Sequence, residues 1–148
     1  MKALSQRDKV SVRSAGIVPV RKVGDEYLVL MLRAYSFWDF PKGRVEAGEE
    51  LIDAAIRETK EEASISPNDL VFNWGKEGYT TEPFKKGTKT ATYFVAQTTT
   101  EEITLPISPE LGKPEHDAYE WMTFEKAKQI TIERVAKVAE WAHKKITT

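Results

Sequence analysis

The chain has 148 residues, a length that fits one average globular domain. Hydrophobic residues make up 41% of it and charged residues 30%, which is too apolar for an intrinsically disordered chain. The 22 basic and 23 acidic side chains leave a formal charge of −1. This balance argues against a protein that binds nucleic acid through bulk electrostatics.

The composition also narrows the cellular compartment. No run of about 18 apolar residues occurs, so the sequence predicts no membrane span, and its start lacks the apolar core of a secretory signal. The absence of cysteine rules out disulfides and thiolate zinc sites, and it fits a reducing compartment. We therefore expect a cytoplasmic protein with one domain over residues 1–148, in which residues 1–10 are a flexible or edge segment.

The first half of the chain predicts a β-hairpin followed by a helix. Residues 11–20 and 27–33 are β-rich runs joined by a Gly-Asp-Glu turn, so we expect them to pair antiparallel. Proline and glycine keep residues 40–43 out of a helix. Residues 50–63 then place apolar side chains at helical spacing.

The second half predicts three strands and two helices. Residues 70–74, 88–96 and 118–122 have strand composition, and residues 105–114, with three prolines and a glycine, predict a loop. Thr123 is placed to cap a short helix, and residues 132–146 form an amphipathic helix. The order β, β, α, β, β, β, α predicts an α/β fold with a mixed sheet between helices, and it disfavours a doubly wound nucleotide-binding fold.

The acidic residues are unevenly distributed, since seven of the 23 lie between positions 46 and 62. On the predicted helix, Glu58, Glu61 and Glu62 fall within an arc of about 100°, away from the apolar stripe. Like charges at this spacing repel unless a cation lies among them. Carboxylate oxygens are suitable ligands for Mg²⁺ or Mn²⁺, although a solvated acidic face has the same pattern.

The residues before the helix favour a site over a plain acidic face. Gly43 and Gly48 bracket a loop that must turn sharply, and the Gly43 carbonyl is a candidate hard oxygen ligand. Arg57 is placed to reach back to Glu49 in a charge-assisted pair that would pin this loop to the helix. The alternative for Arg57 is an ordinary surface side chain.

The pattern of residues 43–65, GRVEAGEELIDAAIRETKEEASI, resembles the Nudix box of the Nudix hydrolases. Seven defining positions match across these 23 residues, and one departs, because the family's usual glycine near the end of the box is Ser64. We expect a local change at the helix end and no loss of metal binding. The resemblance implies a Nudix-type α/β/α sandwich and Mg²⁺- or Mn²⁺-dependent hydrolysis of a nucleoside diphosphate linked to another moiety.

The resemblance also implies roles for individual residues. By position, Glu58 and Glu62 would be the principal metal ligands, and Glu61 a further ligand or the general base. Arg57 with Glu49 would be the orienting pair of the catalytic site. Glu115 resembles a family position that approaches the metals from a loop, although a surface glutamate fits that position nearly as well.

Segments outside the box resemble the asymmetrical diadenosine tetraphosphate hydrolase branch, in which Trp-x-x-Pro-Lys-Gly precedes the box as it does at residues 38–43. Such a substrate, hydrolysed to ATP and AMP, needs cations for four phosphates and an aromatic platform for adenine. Tyr79 is the first choice for the platform because it lies in a polar loop. The candidate substrate-binding residues are Trp38, Lys42, Tyr79, Lys85, Lys86, Lys89 and His116.

Other interpretations remain open at this point. Trp38 suits the core and a cleft wall equally, and Lys85 and Lys86 also suit a plain surface hairpin. The same catalytic helix would serve RNA 5′ ends, nucleotide sugars or diphosphoinositol polyphosphates. A catalytically inactive nucleotide-binding module is disfavoured because every box carboxylate is intact. As the partner we expect a small-molecule nucleotide substrate, with no membrane and no bulk nucleic-acid binding.

Overall fold

The computed structural model describes residues 9–148, so most of the predicted N-terminal segment, residues 1–8, lies outside the described residues. The described chain forms a mixed β-sheet with helices on its faces. In chain order the elements are β1 (Val12–Val23), β2 (Glu26–Ala34), β3 (Phe37–Asp39), β4 (Lys42–Arg44), α1 (Leu51–Ala63), a 3-10 turn (Pro67–Asp69), β5 (Tyr79–Thr80), β6 (Lys89–Gln97), β7 (Ile107–Ser108), β8 (Lys113–Pro114), β9 (Ala118–Met122), α2 (Phe124–Ile130) and α3 (Glu133–Thr147).

Strand β1 is the centre of the sheet. It pairs antiparallel with β2 after the predicted hairpin turn, where Gly24 has a φ of 62°. On its other side it pairs parallel with β6 along nine residues, from Val12 opposite Lys89 to Val20 opposite Gln97. The strand order is β3-β2-β1-β6-β5, with β9 paired to β2 and β4 paired to the first half of β1. The predicted mixed sheet is confirmed.

The two faces of β1 supply two separate cores because successive side chains point to opposite sides of the sheet. One core joins Ile17 and Leu30 to buried alanines of α1. The other joins Val18 and Met31 to the buried stripe of α3, which consists of Val135, Val138, Ala139, Ala142 and Ile146. This stripe is the one that the sequence predicts. The sheet lies between helices, so the α/β/α sandwich is confirmed.

Two predicted elements differ from the structure. Residues 70–74 form no strand: only Val71 bridges Gln97, after which the chain turns at Gly75 with a φ of 89° and Trp74 packs edge-on against Tyr27. The predicted loop 105–114 contains the short hairpin of β7 and β8. In both places the local composition was compatible with two structures, and contacts with distant residues decide between them.

The C-terminal elements form as predicted. The Thr123 hydroxyl accepts a hydrogen bond of 3.1 Å from the Lys126 amide and so caps α2. None of the helices within residues 9–148 has the length and apolar character that crossing a membrane requires.

Candidate active site

Helix α1 ends at a serine in an unusual backbone conformation. Ser64 has a φ of 58°, a left-handed conformation that costs a residue other than glycine about 1 kcal/mol. Its amide donates to the Lys60 carbonyl at 3.0 Å, and its hydroxyl donates to the Thr104 carbonyl at 3.0 Å. The expected local change at the helix end is therefore a side-chain bond, which glycine could not make, to the segment before β7.

Arg57 on α1 holds the loop before the helix and two of the box glutamates. Its Nε and Nη2 donate to the two carboxylate oxygens of Glu49 at 2.8 and 3.0 Å. Its Nη1 donates to Glu58 at 2.8 Å and to Glu61 at 3.1 Å, and Nη2 also donates to the Arg44 carbonyl at 2.9 Å. The Arg57 hydrogen bonds hold the pKa of Glu49 at about 2, so this bidentate pair stays charged at physiological pH.

Glu58 lies against the backbone of Gly43 in β4. A Cβ atom at position 43 would lie 2.1 Å from the Glu58 carboxyl carbon, so the carboxylate occupies the space that a side chain would take. Burial raises the pKa of Glu58, and the nearby Arg57 opposes this rise. The glycine is thus required for close approach, with no need for a positive φ.

Glu62 is the carboxylate with the most strongly perturbed protonation. The Lys42 amide donates to its Oε2 at 3.0 Å. Burial, and then the charge of Glu115, raise the pKa of Glu62 to about 9. A group that strongly resists ionisation in the metal-free protein is suited to a cation, which would compensate the charge.

Two residues from the segment after β8 complete this group. One ligating atom each from Glu62, Glu115 and His116 lie within 4.8 Å of one another. Burial lowers the pKa of His116, which favours the neutral imidazole that binds a metal. The sequence-predicted Glu115 and His116 are therefore brought to the carboxylate helix, and a donor set of two carboxylates and one neutral imidazole fits a divalent cation.

The carboxylates open into a cleft of about 460 Å³. The cleft is lined by the glutamates of α1, by Glu115 and His116, and by the segment from Leu105 to Glu110, which includes β7. Glu61 lines this cleft but has a side chain 56% exposed, and Arg57 is its ion-pair partner. It is therefore the most solvent-accessible of the three box glutamates on α1.

Basic side chains gather beside the carboxylates. The pKa of Lys89 is lowered, first by the charge of Lys85, then by burial and by the charges of Arg44, Lys42 and Arg134. Lys85, Arg44, Lys42 and Arg134 are therefore close enough to Lys89 for their charges to repel its ammonium, and these five side chains form one cationic group. Lys85 and Lys86 lie in the tight turn of the Phe84–Lys89 hairpin, both with positive φ, and Lys86 is exposed to solvent.

Two members of this cationic group were missed in the sequence. Arg44 follows Gly43 directly on β4, so its position next to the box was an available signal. Arg134 lies in the first turn of α3, 45 residues after Lys89, and no local pattern connects the two. Only the packing of α3 on the sheet brings them together.

The predicted aromatic residues have different surroundings. Tyr79 in β5 packs on Trp141 with ring centroids 5.6 Å apart, and it lines a second cavity of about 200 Å³. Phe84 lines the same cavity under the Arg134 guanidinium, 3.8 Å from its ring centroid, and was not singled out in the sequence. Trp38 is partly buried against the core below the Arg33 guanidinium.

Comparison with known proteins agrees with this geometry. The family model for the Nudix domain matches residues 10–144. The asymmetrical bis(5′-nucleosyl)-tetraphosphatase of Caenorhabditis elegans is 33% identical over 122 residues, covering 80% of this chain and 84% of that protein. The rat protein of the same name is 31% identical over 93 residues, which cover 63% of this chain and 60% of the rat protein.

A solved structure gives the same relationship. The crystal structure of a C. elegans Ap4A hydrolase binary complex superposes with a TM-score of 0.69 at 29% identity, covering 93% of this chain and 96% of that one. The resemblance found in the sequence, to the family and to its asymmetrical diadenosine tetraphosphate hydrolase branch, is confirmed. The matched domain, the box with its complete set of glutamates and the shared fold together show that the chain belongs to the Nudix hydrolase family.

Proposed function

We propose that the protein is a Mg²⁺-dependent pyrophosphohydrolase of dinucleoside polyphosphates, with diadenosine tetraphosphate as the preferred substrate and ATP and AMP as products. The observation that carries this proposal is the juxtaposition of the carboxylate cleft with the cationic group around Lys89. Lys42 links the two, because its amide donates a hydrogen bond to Glu62 and its ammonium is close enough to Lys89 to lower the pKa of Lys89. A polyphosphate needs both surfaces, one for its metal ions and one for its remaining charge. The absence of cysteine favours the cytoplasm as the place of this reaction.

The metal would be held by Glu58, Glu62 and Glu115, with the Gly43 carbonyl and Glu61 as further candidate ligands. When bound, a divalent cation neutralises phosphate charge and lowers the pKa of coordinated water. The chain's own groups orient this site: Arg57 fixes Glu58 and Glu61 from one side, and the Lys42 amide fixes Glu62 from the other. Glu61 is suited to accept the proton of the attacking water because it is exposed to the cleft and retains an ionised partner.

The phosphates beyond the scissile bond would extend along Lys42, Lys89 and Lys85, with Arg44 and Arg134 at the edges of the group. Lysines act here as mobile point charges, which suits a flexible chain of phosphates. Lys86 and His116 are further candidate contacts for the ends of such a chain. The clustering of these cations supports a substrate with more than two consecutive phosphates.

An adenine ring would bind at the cavity between Tyr79 and Phe84. One face of each ring is already supported, Tyr79 by Trp141 and Phe84 by Arg134, so both are held rigidly. Stacking of a base on an aromatic side chain contributes about 1–3 kcal/mol. Trp38 packs partly into the core, so it is better suited to forming the cleft wall than to stacking.

A substrate panel in Mg²⁺, with product identification, tests the proposed function. We expect kcat/KM for diadenosine tetraphosphate to exceed that for nucleotide sugars and triphosphorylated RNA ends by about tenfold or more, with ATP and AMP as products. Diphosphoinositol polyphosphates belong in the panel because Arg44 and Arg134 make the cationic group denser than the four lysines that were predicted from the sequence. Preferential release of phosphate from them would overturn the proposal in favour of that class.

The binding of Mg²⁺ is expected to release protons and to tighten as pH rises. Because the pKa of Glu62 is raised to about 9, this carboxyl is protonated at neutral pH in the metal-free protein, and the cation must displace the proton. The apparent affinity should increase up to about tenfold per pH unit between pH 6 and 8 for one displaced proton. Calorimetry in two buffers of different ionisation enthalpy measures the protons released. Equal heats in both buffers would contradict the assignment of Glu62 as a ligand.

A further inference from the structure

The carboxylate of Asp39, at the end of β3, is buried and does not line the carboxylate cleft. Asp39 is only 6% exposed, and ionised side chains at such depth are rare unless they are paired. It occupies a variable position of the Trp-x-x-Pro-Lys-Gly segment, so the family resemblance assigns it no role. Its partners show what it does.

The two oxygens of Asp39 differ in their nearest partners. Oδ1 accepts from the Phe40 amide at 2.7 Å and from the Tyr93 hydroxyl at 3.0 Å, and the same hydroxyl lies 3.4 Å from Oδ2. Tyr93 is fully buried in β6, and burial raises its pKa well above the ordinary value, so its hydroxyl remains a donor. These two donors fix the carboxylate, and Oδ2 is left facing the Lys42 ammonium at 3.4 Å.

Lys42 therefore has both of its functional groups held. Its amide donates to Glu62 at 3.0 Å, and its ammonium forms an ion pair with Asp39 at 3.4 Å, which restricts a side chain that is otherwise free to adopt many rotamers. Three acidic side chains lie near Lys42. Its amide binds Glu62, and the charges of Glu58 and Glu115 are close enough to Glu62 to raise its pKa. Without Asp39 the ammonium would be free to turn to these carboxylates, which the metal requires.

We propose that Asp39, oriented by Tyr93, is a positioning residue that holds the Lys42 ammonium in the cationic group around Lys89, beside the carboxylate cleft. It acts only through Lys42, and the role of Lys42 itself rests on the proposed function. A purely structural turn residue would need only the shorter contacts of Oδ1 with the Phe40 amide and Tyr93, whereas the Lys42 ammonium lies on the side of Oδ2.

The test is a double-mutant cycle of Asp39→Asn and Lys42→Met, measured as kcat/KM for diadenosine tetraphosphate in saturating Mg²⁺. Asparagine keeps the Oδ1 acceptor and replaces Oδ2 by a donor, so the fold should persist while the lysine is released. We expect Asp39→Asn to lower kcat/KM about tenfold, since small misplacements of a binding group can cost up to about a hundredfold. In the Lys42→Met background the same change should alter kcat/KM by less than about twofold.

Independent, multiplicative losses in the double variant would overturn the proposal, and so would an unchanged kcat/KM in Asp39→Asn. Asp69→Asn, an exposed carboxylate in the 3-10 turn, is the matched control and should behave as wild type. If Asp39→Asn fails to fold, Tyr93→Phe removes one Oδ1 donor, and we expect a severalfold loss that vanishes in the Lys42→Met background. If the wild type does not hydrolyse diadenosine tetraphosphate, the proposed function is wrong, and the double-mutant cycle is then measured with the preferred substrate of the panel.

Discussion

Replacement of Glu62 by glutamine is expected to lower kcat by roughly a hundredfold or more while leaving the fold intact. The substitution removes the carboxylate charge that a divalent cation would compensate, and it keeps an oxygen acceptor for the Lys42 amide. Activity is measured at saturating Mg²⁺, so that weaker metal binding alone does not explain the loss. Glu140→Gln, a charge-removing change on the exposed side of α3, is the matched control and should retain wild-type turnover. Near-normal activity of Glu62→Gln would contradict the metal assignment.

The stability of the same variant should change in the opposite direction. The folded-state pKa of Glu62 is about 9, against an ordinary value of 4.5. Below pH 4.5, Glu62 is protonated in both the folded and the unfolded chain. As pH rises from 4.5 to about 9, Glu62 ionises in the unfolded chain but not in the folded chain, so the free energy of unfolding of the wild type decreases progressively. Glutamine abolishes this loss, so the metal-free variant should have a higher Tm than the metal-free wild type at neutral pH. A given concentration of Mg²⁺ should then raise the Tm of the wild type by more than it raises the Tm of the variant.

Replacement of Gly43 by alanine is expected to lower kcat/KM by roughly tenfold to a hundredfold with a small change in Tm. The new methyl group would occupy the place of the Glu58 carboxyl, now 2.1 Å from the ideal Cβ position. That carboxyl is the end of a flexible side chain, so it can move, but it would leave its bond to Arg57 and its place in the cleft.

A second background makes this prediction specific to Glu58. In Glu58→Gln, which already lacks the carboxylate, Gly43→Ala should have little additional effect on kcat/KM. A full loss in that background would instead show that the alanine disturbs β4 itself. An undiminished kcat/KM in the single variant would show that Glu58 functions equally well in another rotamer.

The sequence predicted the parts of this protein whose determinants are local. The helical period of residues 50–63 placed three carboxylates on one arc, and the charge-assisted pair of Arg57 with Glu49 followed from their spacing. The apolar stripe of α3 and the cap at Thr123 were equally local. The resemblance to the Nudix box added the family, because its seven positions lie within 23 residues.

The remaining parts depend on residues far apart in the chain. Arg134 and Phe84 lie on different elements and meet only after α3 packs on the sheet. The hydrogen bond between Asp39 and Tyr93, which are 54 residues apart, could not be predicted from local composition. The failed strand prediction at residues 70–74 has the same origin, since a β-prone run becomes a strand only where a partner edge accepts it.

The parallel pairing of β1 with β6 has a consequence for how the protein folds. It joins residues 12–20 to residues 89–97, so the chain must close a loop of more than 60 residues before the central ladder forms. Such non-local pairing slows folding, by the general relation between contact order and rate. Strand β4, which carries Lys42 and Gly43, is held along β1, and Lys89 lies on β6. Because Glu115 and His116 follow β6 in the chain, a nascent chain should acquire hydrolytic activity only after this later segment has also been synthesised and has packed beside the carboxylates.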